Sequence, residues 1–551
     1  MKRIYLVLIA TIAITFVSCS DQEIDTVKPD AGQVAPIIDL PEGATQGRIL
    51  VKFKPEAASF LDAATTRSVG AALTRSGISD MDAVLQRIGT SKLERIFPVD
   101  NRTEERTRKA GLNLWYIIHF DKDTDLEQVA KDLSQVADVA KVQFTRAIQR
   151  SYDPNVRATV LTKQAMTRVV HTTRAVNTDA NDPFFNLQWG CKNDGSILQN
   201  GEKNDKGDNV VPAVMGVDVN CGEAWKLCTG NPSIVVAVLD EGVMYDHPDL
   251  EGNIWVNEDE TFASKEDADG NGYAGDRYGY NFTDDKGYIS YDDPNDTGHG
   301  THVAGIISAV RNNGEGISGI AGGDKANNRG GVKIMSCQVF SGSKGCDLYQ
   351  EAKAVKYAAD NGAVILQCSW GYNSGLSNPI SGYTPGFTSD KDWVDAAPLE
   401  KEAFDYFLHN AGSPNDVIDG GIIVFAAGNE YAAMAGYPGA YPDYISVAAL
   451  AADGTPSCYS NYAMGVSIAA PGGDSDYHQS SKGKIYSTLP PSANEDGGEN
   501  SHYGYMEGTS QACPHISGVA ALGLSYAAEL HRHFRADEFR KMILESVNPV
   551  E

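Results

Sequence analysis

"SIVVAVLDEGV", Ser233 to Val243, runs through consecutive apolar residues from Ile234 to Leu239 and closes on two acids and a glycine. A strand wetted on one face alternates apolar with polar residues, whereas an unbroken apolar run ended by turn residues fits a strand covered on both faces. Similar runs recur in "VKIMSCQVF", "AVILQCSWG", "GIIVFAAGN", "YISVAAL" and "GVSIAAPG", with helix-like stretches such as "THVAGIISAV" and "LYQEAKAVKYAAD" between them. That alternation predicts an α/β region over 181–551, a doubly wound, mainly parallel sheet between helical layers. Ligands of such sheets bind beyond the carboxyl ends of the strands, so the end of this run, at Asp240, is where chemistry is to be sought.

Upstream, "GRILVKF", "DMDAVLQRIG", "KLERIFP", "LWYIIHF", "DLEQVAKDLSQVADV" and "AKVQFTRAI" read as strand, helix, strand, strand, helix, strand. This split βαβ pattern predicts a smaller, ferredoxin-like α+β domain over 46–150. Residues 151–180, rich in Thr, Val and Arg and without periodicity, read as an accessible, cleavable linker carrying Arg157, Arg168 and Arg174. Two domains suit a chain of 551 residues, more than one core usually holds. With 46 Lys and Arg against 73 Asp and Glu, the net charge of -27 argues against a nucleic-acid partner.

The start, "MKRIYLVLIATIAITFVSCS", has a basic tip and an apolar stretch too short for a lasting membrane span, the pattern of a signal peptide over 1–19. Its end, "FVSC", resembles the lipobox in which the cysteine, here Cys19, is acylated, and "SDQE" resembles an export tag of outer-membrane lipoproteins. The expectation is an exported outer-membrane lipoprotein, surface-exposed, with a polar leader over 20–45 and the lipid as its only membrane contact; plain secretion is the alternative. Eight cysteines remain, in a compartment that permits disulfides, and their pairing stays open. Cys337, Cys368 and Cys513 lie in apolar or motif-rich settings and are expected as buried thiols. Cys221 and Cys228 would stand about 10 Å apart on one helix, out of disulfide reach unless the first lies outside it.

Three residues at strand ends or helix starts make a constellation: Asp240, His299 in "DTGHGTHVAGII" and Ser510 in "GTSQACPH". Pro514 is expected only in the first turn of a helix, so that helix should begin close to Ser510. Each alone reads as a turn or capping residue, but together they are the parts acyl transfer needs. A serine hydroxyl becomes a nucleophile when an imidazole takes its proton, and a carboxylate fixes the tautomer of that imidazole. A helix N-terminus also offers an N–H to an oxyanion.

"VAVLDEGV", "GHGTHVAGI" and "GTSQACPHISG" resemble the three signature blocks of the subtilisin-like serine protease (subtilase) family, in the order Asp, His, Ser. The resemblance implies that Asp240 orients His299, that His299 is general base and then acid, and that Ser510 attacks the peptide carbonyl. It nominates Asn429 in "VFAAGNE" as oxyanion donor, and Ser369, Trp370 and Gly371 in "QCSWG" as flanking the substrate backbone. It makes His247 and His515 structural. One departure stands out: the family usually has Thr or Ser after the aspartate, and here Glu241 adds a carboxylate expected to raise the proton affinity of His299.

In "KEDADGNGYAGDRYGYNF", Asp267, Asp269, Asn271 and Asp276 offer the hard oxygens calcium prefers, though only the front of an EF-hand spacing is present. Calcium, where the resemblance also leads, would be structural; the plainer reading is a solvated acidic turn. The first domain resembles the subtilase propeptide, which implies self-cleavage between Arg150 and Asn181. The expected function is a lipid-anchored serine endopeptidase made as a zymogen, with protein or peptide substrates and its own propeptide as intramolecular inhibitor. A processing protease for one secreted partner and an inactive scaffold acting as a binding protein stay open. A lipase does not fit, since "GTSQA" is not the "GxSxG" elbow.

Overall fold

The computed structural model describes residues 34–39, 43–67, 72–150, 152–161, 179–204, 206–493 and 502–548. The signal segment with Cys19, much of the leader and residues 162–178 of the expected linker lie outside the described residues.

The N-terminal part forms a five-stranded sheet from β1 (Ile37–Ile38), β2 (Arg48–Phe53), β3 (Lys92–Arg95), β4 (Trp115–His119) and β5 (Val139–Gln143), in the order β1-β5-β2-β4-β3. Without β1 this is the ferredoxin-like order, antiparallel throughout. β1 comes from the stretch read as polar leader; two residues long, it pairs parallel with β5 and carries too little pattern to be seen in sequence. The period-two alternation of the strands assigns two faces. Ile49, Val51, Tyr116 and Ile118 pack with Leu126, Val129 and Leu133 of the helix Leu126–Ser134, whose N-cap Asp125 accepts the N–H of Glu127 and Gln128. Leu50, Trp115 and Ile117 face the other way and join the core of the larger part.

That larger part is built on an eight-stranded sheet. Its strands are β6 (Val235–Glu241), β7 (Gly279–Asn281), β8 (Lys333–Ser341), β9 (Lys344–Gly345), β10 (Ala363–Cys368), β11 (Ile422–Ala426), β12 (Ile445–Leu450) and β13 (Ile468–Pro471). The order is β9-β8-β6-β10-β11-β12-β13, with β7 also paired to β8. Every pairing is parallel except that of the short edge strand β9. β6 is buried along its whole length, as its unbroken apolar run requires.

Helices cover both faces. On one side lie α1 (His299–Ser308) and α2 (Thr509–Glu529), which pack on one another and on the sheet. On the other lie α3 (Leu348–Asp360) and α4 (Pro398–Asn410), the latter formed by the apolar stretch inside the long 372–420 segment. The N-terminal sheet docks on α3 and α4. Trp115 Nε1 and Lys52 Nζ both donate to Glu402 at 2.8 and 2.6 Å, Arg106 reaches Asp360 at 2.8 Å, and Arg48 reaches Asp347, the N-cap of α3, at 2.9 Å.

All eight cysteines among the described residues are free thiols, and all but Cys458 are buried. Cys337, Cys368 and Cys513 are among the buried ones, and burial pushes the Cys513 thiol up to about 12.

Candidate active site

Asp240 ends up at the carboxyl edge of β6 and His299 is the first residue of α1. They meet because the residues between them keep out of the way. Gly298, with φ 77°, turns the chain into the helix in a conformation that favours glycine, and a Cβ on Gly300 would lie 2.2 Å from the Glu241 carbonyl. His299 Nδ1 lies 2.8 and 2.9 Å from the two carboxylate oxygens of Asp240, both residues being buried, and the Glu241 N–H steadies that carboxylate at 2.7 Å. A carboxylate at Nδ1 leaves Nε2 as the basic nitrogen.

Ser510 is the second residue of α2, after Gly508 at φ 151°. Pro514 sits in the second turn of α2 rather than the first, which corrects the sequence reading. It has no N–H for the Ser510 carbonyl four residues back, and Ser369 supplies the missing donor: its Oγ–H bonds Ser510 O at 2.8 Å. In return the Ser510 hydroxyl donates to Ser369 O at 3.3 Å, while Gln367 holds the Ser369 hydroxyl at 2.8 Å. The first turn of α2 is thus tied to the end of β10.

Asn429 follows β11, and its Oδ1 accepts both the N–H and the hydroxyl of Thr509 at 2.9 Å. That fixes the amide with Nδ2 beside Gly508, 3.8 Å from where a Cβ on that glycine would sit, and so next to the N–H groups that open α2. Of the substrate-flanking trio, Ser369 lies against Ser510. The Trp370 ring is turned into the core, edge-on to Phe425 at 5.6 Å, so only its backbone is left to face a peptide. At Gly371 a Cβ would stand 3.1 Å from Tyr437 O, a close backbone approach. His247 and His515 are buried and bonded to backbone, His247 to His502 O at 2.9 Å and His515 to Gln511 O at 2.8 Å, and burial lowers both to about 4. They are neutral packing groups.

Over residues 152–161 the segment read as an accessible linker runs along the cleft, with residues 153–156 exposed and the others partly buried. Thr159 exchanges backbone bonds with Tyr505 at 3.0 and 2.8 Å, extending the hairpin edge formed by Tyr503–Met506, and Arg157 donates to the carbonyls of Asp296 and Pro294. The Tyr152 ring stacks on the His299 imidazole, centroids 3.9 Å apart and planes 14° from parallel. His299 Nε2 is buried with no hydrogen-bond partner among the described residues. The acid–base half of the constellation is therefore formed, and the base–nucleophile half is not. Around this segment a cleft of about 530 Å³ remains, bordered by His299, Asn429, Glu430 and Gln511.

Glu241 does not point away from the site. Its Oε2 accepts the N–H of Thr297 at 2.9 Å, the Thr297 hydroxyl at 3.1 Å and the N–H of His299 at 3.1 Å. Its Oε1 accepts the Tyr152 hydroxyl at 3.0 Å and faces Arg150 Nε at 3.3 Å. Sequence reasoning flagged Glu241 but missed Arg150 and Tyr152, whose partners are long-range and carry no motif.

The expected metal loop is assembled differently from its reading. Asn271 turns its NH2 toward Asp269 and Asp276 at 3.2 and 3.0 Å, while Asp276 also takes the Tyr357 hydroxyl at 2.8 Å and Asn257 at 2.9 Å. An NH2 directed at the carboxylates opposes a cation there, so Asn271 and Asp276 drop out of the ligand set. Glu260, not anticipated, joins Asp267 and Asp269 instead, one oxygen of each lying within 4.8 Å of the others. Glu260 also caps the N–H groups of Ala268, Asp269 and Gly275, and Arg102 of the N-terminal part lies 3.3 Å from Asp269. Three carboxylate oxygens fit a hard cation; the facing guanidinium already supplies part of the countercharge.

Residues 231–550 match the model of the Subtilase family, and residues 49–195 that of the N-terminal of the Subtilase family. The chain is similar to halolysin of Haloferax mediterranei, 30% identical over 323 residues, which is 58% of this chain and 47% of that protein. It is similar to a thermophilic serine proteinase of Bacillus sp. (strain AK1), 26% identical over 302 residues, 54% of each. The chain thus spans about half the length of these curated relatives. Among solved structures, fervidolysin from Fervidobacterium pennivorans superposes with a TM-score of 0.50 at 22% identity, covering 89% of this chain and 56% of that one, a likeness of fold.

Proposed function

Since the chain belongs to the subtilase family, we propose that it is a serine endopeptidase made as a zymogen, with Asp240, His299 and Ser510 as its triad. The observation that carries this reading is the buried Asp240–His299 pair, bonded at 2.8 Å at the carboxyl end of β6. In the reaction His299 Nε2 takes the Ser510 hydroxyl proton as Oγ attacks the peptide carbonyl, then returns that proton to the leaving amine. Asp240 holds the tautomer and offsets the charge of the imidazolium. The Ser510 N–H at the start of α2 and the Asn429 amide are suited to receive the oxyanion, since donors fixed beforehand need no reorganisation as charge develops. Water then releases the acyl group by the same proton route.

On this reading the N-terminal sheet is an intramolecular inhibitor and Tyr152 the side chain that covers the base. For Ser510 to meet His299 Nε2, the segment from Arg150 to Leu161 must shift or be cut. Acylation at Cys19 and an outer-membrane location belong to the same proposal, on the strength of the lipobox-like "FVSC" and the acidic "SDQE". A structural calcium ion belongs at Glu260, Asp267 and Asp269.

Intact masses of wild type and Ser510→Ala, both produced without the signal residues, test the core of the proposal. Wild type is expected to lose the N-terminal part and to take up a fluorophosphonate at Ser510, while Ser510→Ala stays full length. Loss of that serine costs about a million-fold in turnover, a magnitude known from subtilisin. Wild type that is neither cut nor labelled, even after the linker is opened by an added protease, would mean an inactive scaffold.

A further inference from the structure

The segment in the cleft also shows what the cleft accepts. Arg150 has only 8% of its side chain exposed, and everything around its guanidinium is suited to a cation. Nη2 donates to the Gly342 carbonyl at 2.7 Å and lies 3.6 Å from Asp296 Oδ1, Nε lies 3.3 Å from Glu241 Oε1, and the guanidinium rests over the Phe340 ring at 5.1 Å. The two carboxylates are 1% and 2% exposed. Asp296 Oδ1 accepts the Gly342 N–H at 2.7 Å, while Asp296 Oδ2 is buried without a hydrogen-bond partner among the described residues. Asp293 stands close by on the far side of Gly342, where a Cβ on that glycine would come within 2.9 Å of its carboxylate.

Arg150 belongs to the part that leaves on maturation. Its departure would strand two buried carboxylates, one with an oxygen already unsatisfied, and a buried charge without a partner is costly. Without another cation the pair must hold a proton instead, since burial and the neighbouring Glu241 already push Asp296 up to about 8, so a cation is the occupant that lets both carboxylates stay charged. Proximity to the reacting group says which: Glu241 directly follows Asp240 and binds the His299 N–H, so the hole opens beside the bond to be cut. The planar fork of a guanidinium suits two carboxylates, a carbonyl and an aromatic face together better than the point charge of an ammonium.

We propose that Glu241, Asp296, the Gly342 carbonyl and the Phe340 ring form a subsite for an arginine side chain of the substrate, with Arg150 as its first, intramolecular occupant. This rests on the protease reading above and names its substrate class: peptides with an arginine close to the scissile bond. Glu241 is then a specificity-determining residue, which accounts for a carboxylate where the family usually has a hydroxyl.

The test uses matured wild-type enzyme and internally quenched peptides of one scaffold, in which Arg, Lys, citrulline or norleucine is walked through the positions before the cleaved bond. Citrulline keeps the shape of arginine and removes its charge. At one position arginine is expected to exceed citrulline at least tenfold in kcat/KM, with lysine between them. Asp296→Asn and Glu241→Gln should each bring that ratio close to one. Asp296→Asn makes no contact with His299, so its ratio reads selectivity apart from the reacting base. Equal rates for arginine and citrulline at every position, or a ratio kept in both variants, would overturn the subsite. A fluorophosphonate that labels Ser510 while the ratio is flat removes the subsite alone; failure to label Ser510 removes the protease reading and the subsite with it.

Discussion

Two of the places where the N-terminal part holds the rest of the chain use opposite chemistry. Over α3 and α4 the hold is a broad apolar face of Leu50, Trp115 and Ile117, rimmed by Lys52–Glu402 and Arg106–Asp360. At the cleft it is narrow and polar: Arg150 between Glu241 and Asp296, Tyr152 on His299, and one backbone exchange at Thr159. Apolar area supplies affinity without direction, while buried charge and ring stacking supply little net affinity and much geometry. On the proposed function, binding and inhibition are therefore separable: the sheet keeps the N-terminal part in place, and a few side chains cover the base.

Acid should separate the two parts most strongly. His247, His302 and His515 of the peptidase part are held by burial at about 4, 3 and 4, against about 6.5 in an unfolded chain. At these three sites the unfolded state takes up protons first, and each withdraws about 3 kcal/mol as pH drops from about 6.5 to about 4. Asp276, Asp296 and Glu400 of the same part, pushed up by burial to about 6, 8 and 7, take up protons first in the folded state and return stability over that range. The N-terminal sheet has only His119, partly wetted and less depressed. In Ser510→Ala protein, hydrogen exchange across that pH range should therefore change more in 231–548 than in 48–143; an equal response of the two would break the contrast.

Trp115→Ala comes next. Removing a fully buried indole costs about 3–5 kcal/mol, read as a lower urea midpoint in the same background. Tyr152→Ala should do the opposite, moving that midpoint by no more than about 1.5 kcal/mol, as for most substitutions away from a packed core. Yet it should make the uncleaved wild-type-serine chain, resolved by intact mass, react with a fluorophosphonate at least tenfold faster. If the tyrosine change unfolds the protein or leaves reactivity untouched, the division of labour is wrong. The smallest effect is expected from calcium. A chelator should lower the melting temperature of the matured enzyme by a few degrees, the size of about 1 kcal/mol, and that of the uncleaved chain by less, because Arg102 then faces Asp269.

The central sheet was legible because burial on both faces leaves an unbroken apolar signature, as in β6, and the Asp240–His299 pair was legible because each member sits in a local glycine-rich block. Ile37–Ile38 was not, since two residues carry no period. The docked 152–161 segment was not either: its hold comes from partners such as Glu241, 89 residues from Tyr152, and from a backbone exchange that shows no preference of sequence. Glu260 escaped for the same reason, being outside the loop it closes. Pro514 misled because the rule for prolines counts turns, while the carbonyl it orphans is rescued by Ser369 from another strand.

The match between Arg150 and Glu241 has a consequence for shuffling. Once the chain is cut as proposed, positions 150 and 241 fall on opposite sides of the cut, so a change at either breaks the match. A chimaera joining this peptidase to the leader domain of a relative with a hydroxyl at 241 would lose the cation from the hole and gain nothing in return. Such hybrids should mature poorly until residue 150 is restored to arginine, which makes this one side chain a compatibility key between inhibitor and enzyme.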